Sequence, residues 1–129
     1  MNKRILLVED HDSLRLLVGS FLSKSFEVVS TKNGLEAMGW LSKGVRPDII
    51  ITDARMPELN GTQMLSNLRV SGMYRDIPVV VISGSENEED ERRFKQLGVR
   101  DFFHKPFNPV NLRDRVSQII QNAPVLSAA

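Results

Sequence analysis

Three features of the sequence predict an open α/β fold around a parallel sheet. Short apolar runs rich in β-branched residues recur along the chain, segments with helix-spaced apolar residues separate them, and a polar or charged group closes every strong run. Runs that are apolar throughout read as strands covered on both faces, because a strand with one wet face would alternate apolar with polar residues.

The first run, Ile5-Leu6-Leu7-Val8, is closed by Glu9-Asp10. Leu14, Leu17, Val18, Phe21 and Leu22 then repeat at helical spacing behind Asp12, which stands where an N-cap belongs, and predict a crossover helix. Phe26-Glu27-Val28-Val29 is a weaker strand signal, placed nearer an edge. Ala37, Met38 and Leu41 mark a second helix, with Trp40 off that stripe and partly exposed. Ile49-Ile50-Ile51 forms a third strand running to Asp53, and Met64, Leu65 and Leu68 a third helix. Val79-Val80-Val81-Ile82 delivers Ser83-Gly84. From Glu86 to Leu97 acidic residues come early and basic ones late, with only Phe94 and Leu97 apolar, which predicts a solvent-facing, mobile helix aligned with its own dipole. Asp101-Phe102-Phe103-His104 ends at Lys105-Pro106, and the last helix opens on Asn108-Pro109 and carries Leu112, Val116, Ile119 and Ile120. Gly34, Gly61 and Gly98 fall to turns, helix ends or close packing, since no glycine-rich nucleotide loop is present.

A length of 129 residues, 41% hydrophobic and 26% charged, suits one domain over residues 1–122 followed by a short tail, 123–129. Seventeen basic against sixteen acidic residues leave a charge of +1, so no global field draws the chain to nucleic acid or anionic lipid. Absence of cysteine excludes disulfides and thiolate metal sites and favours a cytoplasmic setting. Four apolar residues before Glu9 are too few for a signal-peptide core, and no run approaches the length of a membrane span.

In open α/β sheets ligands gather at the carboxyl ends of the strands, and there stand Glu9, Asp10, Asp53, Ser83 and Lys105. Singly, Asp53 could open a turn, Ser83 cap a helix and Lys105 be a solvated charge. Together, three carboxylates brought close repel one another unless a cation neutralises them. With oxygen ligands alone that cation is Mg²⁺. A carboxylate, a hard cation, an ammonium and a hydroxyl suffice for phosphoryl transfer to an aspartate, Asp53 attacking while the metal and Lys105 neutralise charge and Ser83 donates to a phosphoryl oxygen. His11 and His104 form no metal pair by spacing.

Six ordered pieces resemble the receiver domain of bacterial two-component response regulators: Ile5 to Asp10, Pro47 to Asp53, Met56-Pro57, Asn60-Gly61, Ser83-Gly84 and Lys105-Pro106-Phe107. The resemblance implies a flavodoxin-like (βα)5 fold, a five-stranded parallel sheet in order 2-1-3-4-5 with helices on both faces. It implies that Glu9 and Asp10 hold Mg²⁺ with Asp53 and the backbone carbonyl of Arg55. Asp53 becomes the phosphoacceptor for a histidine kinase or phosphotransfer protein, Lys105 the phosphoryl partner, and Ser83 and Phe102 the switch pair. Arg55, two residues past the nucleophile, and Ser85, two past Ser83, stand where phosphoryl lifetime is adjusted. The domain is then a signalling module that catalyses only its own phosphorylation and dephosphorylation. Its target would dock on the fourth helix, fifth strand and fifth helix, and a phosphorylation-dependent dimer is compatible with that face. The Lys105-Pro106 junction is a place for a cis peptide.

Rival functions fit less well. A haloacid-dehalogenase-type phosphatase needs an aspartate as general acid where this chain has Arg55, which cannot donate a proton at neutral pH. An interaction-only receiver would have lost an acidic ligand, the hydroxyl or the lysine. A DNA-binding regulator would need a helix-turn-helix domain and a basic face. A diffusible chemotaxis-type output and a phosphorelay intermediate both remain open.

Overall fold

The computed structural model describes residues 2–55, 61–84 and 88–122. In chain order these form β1 (Arg4–Val8), α1 (Asp12–Leu22), β2 (Glu27–Thr31), α2 (Gly34–Leu41), β3 (Ile49–Asp53), α3 (Gly61–Arg69), β4 (Val79–Ser83), α4 (Glu88–Gln96), β5 (Asp101–His104) and α5 (Pro109–Asn122). The strands make one parallel sheet in the order β2-β1-β3-β4-β5. β3 and β4 are buried at every position, which their unbroken apolar sequence anticipates, whereas β2 and β5 at the edges keep partly exposed residues.

Successive strand residues point to opposite faces, so the sheet divides two cores. Leu6, Val8, Ile50, Val79 and Val81 pack with Ala37 and Leu41 of α2, Met64, Leu65 and Leu68 of α3, and Phe94 of α4. Ile5, Leu7, Ile49, Ile51, Val80 and Ile82 pack with Val18 and Leu22 of α1 and Leu112, Val116 and Ile119 of α5. Because the chain leaves β1 for β2 on one side and returns to β3 on the other, the crevice between β1 and β3 is the topological switch point.

Local details depart from the sequence reading. Asp12 is the first residue of α1; His11 holds the N-cap position with no side-chain cap, and Asp12 instead pairs with Arg15 at 2.6 Å. Leu17 is 60% exposed rather than inward, because the stripe through Leu14, Val18 and Leu22 sets the face of α1 and Leu17 lies about 100° away from Val18 around it. β2 begins at Glu27, with Phe26 buried just before it. Trp40 is half-buried against the α2–α4 core. Of α4, only Phe94 is buried, and residues 86 and 87 of the anticipated helix lie outside the described residues, as does the tail 123–129. Among the described residues no helix is long and apolar enough to cross a membrane.

Gly61 fixes how α3 meets the sheet. A Cβ there would lie 2.6 Å from the carbonyl oxygen of Asp53 and 3.1 Å from that of Ala54, both backbone atoms with little room to yield. Gly61→Ala is therefore expected to cost about 1–3 kcal/mol of overpacking strain. Urea denaturation measures it; an unchanged midpoint would mean that the start of α3 shifts freely.

Candidate functional site

Parallel pairing of Val8 with Thr52 brings the ends of β1 and β3 side by side, and with them Glu9, Asp10 and Asp53. One carboxylate oxygen from each lies within 4.8 Å of the others. Glu9 is wholly buried and Asp53 is 5% exposed, whereas Asp10 faces solvent. The backbone holds Glu9 firmly: its N–H donates to the Thr31 carbonyl, its carbonyl accepts from Arg15, and its Oε2 accepts from the His11 N–H at 3.0 Å.

Lys105, delivered by β5, reaches into this cluster. Its Nζ lies 2.9 Å from Asp53 Oδ2, to which it donates, and 2.9 Å from Glu9 Oε1. Its backbone N–H donates to the Ser83 carbonyl at 2.7 Å, lacing the end of β5 to that of β4, and the Lys105–Pro106 peptide is cis. Burial works against the charge on Lys105, but the contacts to Glu9 and Asp53 outweigh it and raise the pKa. The approach to Glu9 Oε1 is an ion pair without hydrogen-bonding geometry, so this fully buried oxygen has no hydrogen-bond partner. A buried carboxylate oxygen without a hydrogen bond, beside two further carboxylates, is a donor set suited to a hard divalent cation.

Burial first, and then the neighbouring Asp53, push the Glu9 carboxyl from 4.5 up to about 7, against the opposing pull of the His11 N–H and Lys105. A carboxyl with a raised folded-state pKa binds its proton more tightly when folded, so its stabilising contribution is present below pH 4.5 and lost as pH rises through about 7. Chelator-treated protein is expected to lose stability across that window. Adding Mg²⁺ should reverse the trend above pH 7, since the cation competes with the proton; denaturation midpoints with and without Mg²⁺ at several pH values check this.

Ser83 closes β4 almost fully buried, next to Lys105. Phe102 of β5 lies 6.0 Å, centroid to centroid, from Phe94 of α4 and 5.1 Å from the His104 ring. Arg55 donates its backbone N–H to Asp53 Oδ1 at 3.3 Å, while its guanidinium turns away to Asp90 of α4, with Nη2 and Nε at 2.7 and 3.3 Å from Oδ2. Met56, Pro57, Asn60 and Ser85 lie outside the described residues. The structure thus gathers Glu9, Asp10, Asp53, Ser83 and Lys105 at one edge, with Arg55 at its rim and Phe102 one layer behind.

The sequence model described as the response regulator receiver domain matches residues 5–117. The chain belongs to that family. Among curated receivers, it is 25% identical over 119 residues to a chemotaxis protein CheY homolog of Campylobacter jejuni, covering 91% of this chain and 92% of the relative. It is 30% identical over 116 residues to hybrid signal transduction histidine kinase D of Dictyostelium discoideum, covering 90% of this chain but 7% of that protein. The solved signal receiver domain of a histidine kinase from Syntrophus aciditrophicus superposes with a TM-score of 0.87 at 29% identity, over 98% of this chain and 96% of that one. Receiver domains therefore occur among its relatives both alone and as small parts of long kinases.

Three partners in this receiver's site escaped the sequence. Asp90 meets Arg55 across 35 positions, the His11 N–H donates to Glu9 Oε2, and the Arg15 guanidinium donates to the Glu9 carbonyl. The acidic start of α4 was the available sign for Asp90, but four acidic residues in that turn compete for the role.

Proposed function

We propose that this receiver takes a phosphoryl group onto Asp53 from a phosphohistidine of a histidine kinase or phosphotransfer protein, with Mg²⁺ required, and that Ser83 and Phe102 convert the event into altered partner binding. The observation that carries this reading is the convergence of Glu9, Asp10, Asp53 and Lys105 at the switch point. In the reaction the Asp53 carboxylate attacks phosphorus, an O–P bond forms as the N–P bond breaks, and the donor imidazole leaves with its electron pair. Lys105 is placed to follow charge from the carboxylate to the transferred oxygens. Glu9, Asp10, Asp53 and the Arg55 carbonyl would hold Mg²⁺, which supplies charge neutralisation on the phosphoryl oxygens. Ser83 would donate its hydroxyl to the acquired group, and Phe102 would repack against α4. Partners would then read α4, β5 and α5, where the cytoplasm is the natural setting and dimerisation is one readout.

The test is incubation with a small acyl-phosphate donor, with and without Mg²⁺, followed by intact mass. One Mg²⁺-dependent adduct is expected. Its absence with both the donor and phosphorylated kinases would sink the reading.

Arg55 bears on how long the adduct lasts. Its guanidinium is 67% exposed and tied to Asp90. Turned back, it would shield the phosphoryl group from water. Arg55→Ala is expected to speed hydrolysis by about threefold, the scale of one exposed ion pair, and an unchanged decay rate would make Arg55 a mere surface cation. Ser85, short and two residues past Ser83, would admit water in the same way.

A further inference from the structure

A cavity among the described residues takes no part in the site at the carboxyl edge. It is an open bowl of about 1000 Å³ at the opposite, amino edge of the sheet, lined by residues just ahead of β1, β3, β4 and β5 and by the ends of α3 and α5. Its cations are in excess: Lys3, Arg46, Arg69, Arg75 and Arg100 face Asp48 and Asp76.

Some of these charges serve the fold. Arg69 donates Nε to the Leu97 carbonyl at 2.8 Å and Nη1 to the Arg75 carbonyl at 2.8 Å, which staples α3 to the end of α4. Arg46 donates to the Met73 carbonyl, and Asp48 accepts the Arg4 N–H. Lys3, Arg75 and Arg100 are different. All three are exposed, and among the described residues their side chains make neither a hydrogen bond nor an ion pair. Burial, and then the charge of Arg100, pull the Arg69 pKa down, so positive charge is crowded here in a chain whose total is +1.

We propose that this bowl is a second ligand site, for a soluble oligophosphate held by Lys3, Arg75 and Arg100. Guanidinium forks match phosphate oxygens two at a time, and three spread cations suit a short chain of phosphates better than one. A long nucleic acid is disfavoured, since the cations line a concavity and the near-neutral chain offers no extended basic track. The site stands apart from Asp53 and does not depend on the phosphorylation reading.

The experiment is titration of the full chain in metal-free buffer with tripolyphosphate, ATP and AMP, followed by backbone amide NMR. Saturable shifts are expected around Lys3, Arg75, Asp76 and Arg100. Equal affinity for tripolyphosphate and ATP would show that the phosphate chain alone is bound, and tighter ATP that a nucleoside adds contacts. Arg75→Ala/Arg100→Ala should weaken tripolyphosphate about tenfold or more, the effect of lost charge-assisted contacts; if that pair fails to fold, Arg100→Gln alone should weaken it about threefold. The proposal falls if shifts are absent or confined to the Asp53 edge, if AMP binds as tightly as tripolyphosphate, or if folded variants bind unchanged.

Discussion

Asp53→Asn is expected to abolish the phosphoryl adduct and, in metal-free protein, to raise stability. Loss of the adduct is complete because an amide oxygen is a poor nucleophile towards phosphorus. The gain in stability follows from the site's electrostatics. Asp53 is one of the causes that hold the Glu9 carboxyl near pH 7, so removing its charge lets Glu9 ionise at lower cost. A gain of about 1–2 kcal/mol at pH 8 is expected, the scale of one pKa unit or slightly more. Intact mass and urea denaturation in chelator read the two effects separately. An adduct that survives would move the nucleophile elsewhere, and a loss of stability would show that Asp53 gains more from Lys105 than it loses to Glu9.

Lys105→Ala is expected to have the opposite effect on stability and a smaller, still large, one on chemistry. It strips the ammonium that sits 2.9 Å from both Glu9 and Asp53 and leaves two buried carboxylates facing each other. Breaking one side of a fully buried pair costs about 3–5 kcal/mol; Lys105 is 23% exposed, so about 1–3 kcal/mol is expected. The loss should be greatest above pH 7, where Glu9 is ionised, and smaller below it. Transfer from an acyl-phosphate donor should slow by about a hundredfold or more, as when one preorganised charge is taken from a transition state. Lys105→Arg separates the effects: it restores the charge without the compact ammonium, so stability should recover while transfer stays impaired. Recovery of both would reduce Lys105 to a counter-charge.

Most of the fold was legible because a doubly covered parallel sheet writes itself into the sequence. Every strand position of β3 and β4 is buried, so their runs carry no alternation and resist confusion with half-exposed strands. Strand-end residues were legible for the same reason: once the runs are strands, Glu9, Asp53, Ser83 and Lys105 must share an edge. Their closeness needed the strand order, which apolar runs do not encode and which the family resemblance supplied. Helix faces were harder. Leu17 stands three residues from Leu14 and four from Phe21, both helical spacings, yet points outward, because Gly19, invisible to an apolar count, turns inward against Ser30. The Arg55–Asp90 pair was out of reach, since the placement of α4 depends on one aromatic contact rather than on a pattern.

That single contact has a mechanical consequence. α4 presents one buried side chain, Phe94, to the sheet, and Phe94 abuts Phe102, while Arg69 grips the carbonyl that follows the helix. A helix so mounted behaves as a lever on a pivot. Rotation about Phe94 would uncover little apolar surface, so if phosphorylation moves the Phe102 ring as proposed, that ring pushes on a helix whose resetting costs little burial.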